Sequence, residues 1–277
     1  WTPEQAAWRD HRMDNGESYW IEQRGNEDSE SRPQAMRGLL LYPMNALVED
    51  QLTRLRTALD TDEIRDWLDQ NRCGNRIYFG RYNGDAPVPG HPRKPLNHEL
   101  PEQDWEYQWD YRRMEGLQRS LHSIDMTSNI AAQYDQDRQN EYQQIINEGG
   151  TADAPETVQH FFQGTQGAEM RSRWDMQQAP PDILVTNFSM LSIMLMRQVD
   201  EPIFEKTREW IQQNDDARFH LVIDELHLYR GTAGSEVAYL IRLLLRRLGL
   251  HQEEHAHKLR ILASSASFEE DDAGDEL

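Results

Sequence analysis

Two adjacent carboxylates, Asp224 and Glu225, are the residues of this chain most able to do chemistry. They open the sequence Asp-Glu-Leu-His, directly after an apolar run at 220–223 that is typical of a buried strand. Carboxylates at a buried strand end are costly unless a cation or bound water satisfies them, and a hydrated Mg²⁺ carrying a nucleoside triphosphate would do so. Asp224 would hold the metal through water, Glu225 would orient and deprotonate an attacking water, and His227 would sense the γ-phosphate. A solvated strand-to-helix turn explains the same short pattern about as well.

Polar segments also follow four other apolar runs. The runs lie at 38–42, 77–79, 183–185 and 259–263, and the polar segments at 43–46, 82–85, 186–189 and 264–267. Between the runs, apolar residues recur at helical spacing, most regularly from Val237 to Leu248. Strands that alternate with helices predict an α/β fold with a parallel sheet, in which ligands bind at the carboxyl ends of the strands.

In this order, the polar segments resemble the motifs of the first motor domain of a superfamily 2 helicase of the DEAH-box type. Residues 43–52 resemble motif Ia, 82–85 the Y-x-G-D segment, 186–191 the T-N-x-x-M-L motif, 224–227 motif II (the Walker B box) and 265–267 motif III. The resemblance implies a RecA-like parallel sheet flanked by helices, of the P-loop NTPase type. The amino-acid sequences of 41–52 and 263–268 are most similar to those of large prokaryotic helicases that end in a DUF1998-type region, such as the helicase subunit of the DISARM phage-defence system.

The resemblance implies that several loops hold a nucleic-acid strand by its phosphates, through backbone N–H groups at helix N-termini. The residues of these loops that would bind nucleic acid are Pro43, Asn45, Ala46, Gly84, Thr186 and Asn187, and the N–H groups would come from Asn45, Ala46, Thr186 and Asn187. Contacts of this kind need no basic patch, so an acidic protein can make them. Ordinary turn chemistry and helix capping are the alternative explanation for residues 186–187.

The resemblance also implies ATP and Mg²⁺ as cofactors. Asp224, Glu225, Ser265 and Ser267 would contact the nucleotide, and the two serines would link it to the nucleic-acid groove. The catalytic residues would be Glu225, Asp224 and His227. Ser267 stands where the family usually has Thr and keeps the hydroxyl. Taken alone, the segment 264–267 is equally typical of a plain polar loop.

The sequence departs from the family in ways that predict an incomplete motor. It contains no G-x-x-x-x-G-K-[ST] segment and nothing that resembles the second motor domain with its arginine finger. We therefore expect an excerpt that is inactive alone, and an unpaired apolar strand edge where the strand of the missing P-loop segment would pair. The predicted organisation is a polar, partly disordered lead-in at 1–37, the motor domain at 38–268 and an acidic tail at 269–277. Residues 91–180 are predicted to be a polar, acidic insertion within the motor domain.

Composition narrows the function classes further. The chain has 277 residues with 49 acidic against 29 basic side chains, a net charge of −20, which excludes a generally basic surface for nucleic acid. The sequence shows no signal peptide and no apolar run long enough for a membrane span, so we expect a cytoplasmic protein without a membrane partner. The single Cys73 excludes an internal disulfide.

These patterns predict part of an ATP-dependent helicase or translocase that acts on DNA more readily than on RNA. The expected partners are nucleic acid, a second RecA-like domain with the P-loop segment, and other subunits of a phage-defence system. One alternative is a non-catalytic RecA-like scaffold that binds a partner protein, against which the adjacent acids argue. Another is a RecA-like ATPase that acts on protein.

Overall fold

The computed structural model describes residue 24 and residues 32–43, 45–88, 93–95, 107–165 and 167–265. These residues contain seven strands. They are β1 (Gly38–Tyr42), β2 (Phe79–Arg81), β3 (Arg93–Pro95), β4 (Tyr107–Trp109), β5 (Ile183–Asn187), β6 (Phe219–Ile223) and β7 (Leu259–Ala263). Five of them form a single sheet in the order β2-β5-β1-β6-β7, and every pairing in it is parallel. Strands β3 and β4 pair separately and antiparallel.

Helices connect the strands and cover the sheet. They are α1 (Asn45–Leu59), α2 (Asp62–Asn71), α3 (Tyr111–Asn147), α4 (Arg173–Gln178), α5 (Phe188–Met196), α6 (Glu201–Gln213), α7 (Gly231–Arg247) and α8 (Glu253–Ala256). Within the described residues, no helix combines the length and the apolar character that a bilayer crossing needs.

Strand β1 is the middle strand of the sheet, and both of its faces are covered. Leu39 and Leu41 belong to a core cluster with α5, α6 and α7, whereas Tyr42 packs on the opposite face with Val48 and Leu52 of α1. Burial on both faces explains why β1 is a continuous apolar run rather than an alternating one. The parallel sheet flanked by helices is a RecA-like α/β fold, as the sequence predicts.

The register of the sheet places four polar segments side by side at the carboxyl ends of the strands, which form one edge of the sheet. Tyr42 lies opposite Asn187, Leu41 opposite Ile223, and Ile223 opposite Ala263. The segments that follow β1, β5, β6 and β7 therefore leave the sheet side by side. This edge carries the candidate site.

Strand β7 lies at one end of the sheet and is poorly covered. Its Ile261 and Leu262 are 54% and 55% exposed, although both belong to the apolar run that predicted the strand. Among the described residues, no strand pairs with the free side of β7. That the strand of a P-loop segment would pair at this side of β7 stays a prediction.

The segment predicted to be an insertion, 91–180, contains regular structure. It includes α3, a helix of 37 residues, and its last part, 167–178, packs into the main domain. Met170 and Met176 join the same core as β1, and a Cβ on Gly80 of β2 would meet the Met170 Cβ at 3.2 Å. The core of the main sheet thus includes these residues, while most of the predicted lead-in and all of the predicted acidic tail lie outside the described residues.

Candidate nucleotide and nucleic-acid site

Asp224 is the first residue after β6 and is held at the edge of the sheet from both sides. Its backbone N–H donates to the Leu41 carbonyl of β1 at 3.0 Å, and the Ser264 N–H donates to the Ile223 carbonyl at 3.0 Å. The Ser264 hydroxyl donates to Oδ1 of Asp224. The carboxylate therefore projects from a point that three adjacent strands fix.

Glu225 adopts a left-handed backbone conformation, with φ 53° and ψ 49°. A non-glycine residue in this region carries strain, and such strain persists where the surroundings hold the backbone. Here the Glu225 N–H donates to Ser264 Oγ at 3.3 Å, and the next N–H, of Leu226, donates to the Ser264 carbonyl at 2.9 Å. The conformation turns the chain sharply between the two carboxylates and the short helical turn that follows.

His227 approaches Glu225 from that turn. Its Nδ1 lies 3.0 Å from Oε2 of Glu225 and 3.3 Å from Oγ of Ser265. The side chains of Glu225 and His227 are about one third and one quarter exposed, so solvent or a ligand can reach both. The structure thus brings together four of the predicted nucleotide-site residues, while the fifth, Ser267, lies outside the described residues.

Two tyrosines that sequence reasoning did not select also face this cluster. Burial and, after it, the nearby Asp224 carboxylate together raise the pKa of Tyr42 to about 12. Tyr229 has the same pKa of about 12 for the same two reasons. Tyr229 also packs edge-to-face on Phe188, with ring centroids 4.6 Å apart, and so connects the acidic turn to α5. The position of Tyr42 at the end of β1 was the available signal.

The carboxylates fit a hydrated Mg²⁺ better than a metal held by protein ligands alone. Among the described residues, no group of three or more His, Cys, Asp or Glu side chains is arranged to hold a metal ion. Mg²⁺ keeps several waters and is commonly held by one or two carboxylates together with substrate phosphates. Asp224 and Glu225 supply that number of carboxylates at a partly open edge.

The predicted nucleic-acid residues lie along the same edge, beyond β1 and β5. Asn45 and Ala46 are the first two residues of α1, and half-buried Pro43 precedes them. Asn187 caps α5, because its Oδ1 accepts a hydrogen bond from the Met190 N–H at 2.8 Å. The Asn187 side chain therefore has the helix-capping role that the alternative explanation gives it. The N-terminus of α5 lies beside Tyr42, at the end of β1.

Thr186 acts on a neighbouring loop rather than on the surface. Its side chain is fully buried, and its hydroxyl donates to the Tyr82 carbonyl at 2.6 Å. The buried Tyr82 hydroxyl in turn donates to Asp200, and burial raises the pKa of this phenol. The loop that contains Gly84 is thereby fixed at its start, whereas Gly84 is exposed and a Cβ there would have no heavy atom within 4 Å.

Two known proteins are similar to the chain over most of its length. The chain is 32% identical over 265 residues to the Druantia protein DruE of Escherichia coli (strain UMEA 4076-1), across 87% of this chain and 13% of that protein. Among solved structures, the crystal structure of the DUF1998 helicase MrfA matches with 20% identity and a TM-score of 0.38, over 86% of this chain and 21% of that one. No protein-family model matches the chain.

The chain therefore spans a small part of the length of either protein. Over this part, the order of its motifs resembles that of a superfamily 2 helicase motor domain, and its sequence is similar to that of the Druantia protein. The relative carries a Druantia name, so the narrower likeness to the DISARM subunit stays a prediction.

Proposed function

We propose that this chain is part of the first motor domain of an ATP-dependent helicase or translocase that acts on DNA in phage defence. The observation that carries the proposal is the acidic cluster, in which Asp224, Glu225, His227 and two serines meet where β6 and β7 end. A scaffold without catalytic function gains nothing from two adjacent carboxylates and a strained Glu at a strand end.

The residues of the cluster divide the work of hydrolysis. ATP with Mg²⁺ supplies the phosphoryl group and its charge neutralisation. Asp224, oriented by Ser264, would hold the metal through water, and Ser265 and Ser267 would lie beside the nucleotide. Glu225 would take the proton of the attacking water, because its carboxylate is partly exposed and acceptor-only when ionised. His227 would orient that carboxylate through the 3.0 Å contact between Nδ1 and Oε2.

The nucleic-acid strand would run along the same edge of the sheet. Asn45 and Ala46 at the start of α1 would contact one phosphate, and Asn187 at the start of α5 would contact the next, both through backbone N–H groups. Pro43 has no backbone N–H and would fix the turn that leads into α1. Thr186 would act indirectly, since it holds the loop on which Gly84 faces solvent. We propose DNA rather than RNA as the bound strand, because the motifs resemble those of prokaryotic DUF1998-type helicases.

Coupling between ATP hydrolysis and nucleic-acid binding would pass through the turn after β6. Tyr229 interacts electrostatically with Asp224 of the acidic cluster and packs on Phe188, the first residue of α5. A change in the charge around Asp224 would therefore affect Tyr229 and, through it, α5, the helix whose N-terminus would face the nucleic-acid strand. The second RecA-like domain, the P-loop segment and other defence subunits would complete the motor.

The proposal is tested by ATP hydrolysis of the longer protein, measured without nucleic acid, with single-stranded DNA and with single-stranded RNA. A nucleic-acid motor predicts turnover that DNA stimulates more than RNA. Turnover that neither polymer changes would favour an ATPase acting on protein, and no turnover in any condition would favour the scaffold.

A further inference from the structure

A cleft of about 420 Å³ opens outside the acidic cluster, between the end of β2 and helix α3. This volume falls in the range of roughly 300–1,000 Å³ that small-molecule sites occupy. The side chains that matter for its chemistry are Arg81, Ser120, Ser123, Thr127, Phe162 and Gln163. None of them belongs to a motif that the sequence analysis singled out.

Two polar atoms of side chains that line this cleft are buried without a hydrogen-bond partner among the described residues. They are Nε of Arg81, a donor, and Oε1 of Gln163, an acceptor. The rest of each side chain is anchored: Arg81 Nη1 lies 2.7 Å from Glu49 Oε2, and the Gln163 amide donates to the Glu169 and Met170 carbonyls at 3.4 and 3.3 Å. An unsatisfied buried donor or acceptor costs stability, so a ligand with the complementary pair would be favoured.

An aromatic ring lies beside these two side chains. Phe162 is 42% exposed and lines the cleft, which leaves part of its ring free for a flat ligand. Ser120 and Thr127 face it from α3, and their hydroxyls already donate to the Gly116 and Ser123 carbonyls of their own helix. Their lone pairs remain available as acceptors for the N–H groups of a ligand.

Charge selects which part of a nucleic acid would enter. Arg81 and Arg56 are both paired with Glu49, and Arg56 also pairs with Glu169, so two cations are matched by two carboxylates. The cleft therefore has no excess positive charge for a phosphate. A donor, several acceptors and an exposed aromatic ring instead match an uncharged base, which offers both kinds of group on its edge and a face for stacking.

The position of the cleft relates it to the predicted strand path. Arg81 directly precedes Tyr82, at the start of the loop that carries Gly84. A strand held at that loop would pass the mouth of the cleft. We propose that this cleft binds one unstacked nucleobase of the nucleic-acid strand, an inference that rests on the proposed function.

The test compares single-stranded DNA binding of the longer protein with its Phe162→Ala variant, by fluorescence anisotropy of a labelled oligonucleotide. Phe161→Ala is the matched control, because Phe161 is 54% exposed but does not line the cleft. Loss of one stacking ring predicts about tenfold weaker binding for Phe162→Ala and none of this loss for Phe161→Ala or Phe162→Tyr. An oligonucleotide with abasic sites throughout should bind the wild type and Phe162→Ala equally.

Each other outcome overturns the proposal in a distinguishable way. Wild-type binding that Phe162→Ala leaves unchanged would overturn the base-binding cleft and leave the proposed function standing. Competition by a free nucleoside monophosphate that depends on Phe162, with unchanged oligonucleotide binding, would overturn the assignment to a strand. No oligonucleotide binding by any form would overturn the proposed function and the cleft together.

Discussion

The Ser264 hydroxyl donates a hydrogen bond to the Asp224 carboxylate, and this contact joins the ends of two adjacent strands. It follows from the register, because Ile223 lies opposite Ala263 and the next residue of each strand must then meet. The same serine accepts from the Glu225 N–H and so contacts both carboxylate residues. Ser264 is therefore the residue on which the geometry of the acidic cluster depends most.

Replacing Ser264 with Ala should lower ATP hydrolysis without unfolding the protein. The hydroxyl contributes on the order of 1–2 kcal/mol to the position of Asp224, so we expect a loss of about tenfold in turnover. Thermal unfolding and steady-state hydrolysis of the longer protein would be measured together. Ser235→Ala is the control, since Ser235 is exposed on α7 and bonds only its own helix. Equal activity of the two variants would contradict this role for Ser264.

The buried pair of Arg56 and Glu169 should be essential for stability. Arg56 Nε and Nη2 lie 2.5 and 3.0 Å from the two Glu169 oxygens, and both side chains are almost fully buried. Arg56→Met removes the guanidinium that pairs with the buried Glu169 carboxylate, so we expect a loss of about 3–5 kcal/mol in urea unfolding at neutral pH. The exposed pair of Arg54 and Asp50 supplies the control Arg54→Met, expected to cost less than about 1 kcal/mol.

The same variant gives a pH dependence of defined sign. Burial raises the pKa of Glu169, and Arg56 opposes this rise. Without Arg56 the folded-state pKa rises further above its unfolded value, so stability is gained as the pH falls through the folded pKa. The deficit of Arg56→Met relative to the wild type should therefore shrink as the pH is lowered from 7. A deficit that is constant or grows over this range would contradict the stabilisation of the buried Glu169 carboxylate by Arg56.

Asp224 should be detectable through the tyrosines beside it. Tyr42 and Tyr229 have pKa values of about 12, so the neutral phenols stabilise the fold below pH 10, and this contribution is lost as the pH rises through about 12. Asp224→Asn should lower both pKa values, because the carboxylate is the second cause of each shift. Spectrophotometric titration of tyrosinate would measure this, with Asp216→Asn, at an exposed site, as the control. Identical titration curves for the two variants would place the carboxylate away from both rings.

The free side of β7 should be covered in a longer protein. Ile261 is 54% exposed at the edge of the sheet, and a paired strand would bury it. Ile261→Lys should then lower the unfolding temperature of the longer protein by several degrees but leave that of the isolated chain nearly unchanged. Ile130→Lys, at a position 66% exposed on α3, is the control. An equally small effect of Ile261→Lys in both proteins would show that the edge stays open.

Much of the fold could be predicted because a parallel sheet has strong sequence signals. Strands β1 and β7 begin and end where their apolar runs do, and for β1 burial on both faces explains why the whole run is apolar. Strand β2 begins at Phe79, two residues later than predicted from Ile-Tyr-Phe at 77–79. Short strands give too few residues to fix their ends.

Helix α3 and the segment 167–178 could not be predicted in the same way. Polar and acidic residues dominate the long helix, and many of its side chains are exposed, so it lacks a strong apolar stripe. Met170 and Met176 reach the core from a stretch without clear periodicity. Their burial depends on tertiary packing against β2, which no local pattern encodes.

The candidate site was predictable as motifs but not as contacts. Asp224, Glu225, His227 and Ser265 meet as the order of the motifs predicts. The role of Ser264 required the register of two strands, and the burial of the Thr186 side chain required the loop that it holds. Tyr229 became visible only when its ring was found against Phe188.

The most direct test of the account is ATP hydrolysis by the longer protein with and without single-stranded DNA, for the wild type and Glu225→Gln. The substitution keeps the size of the side chain and removes the base, so we expect a loss of about 10²–10⁴ in DNA-stimulated turnover while DNA binding is retained. Glu236→Gln, at an exposed position of α7, should behave as the wild type. DNA-stimulated turnover that survives in Glu225→Gln would contradict the central role of this carboxylate.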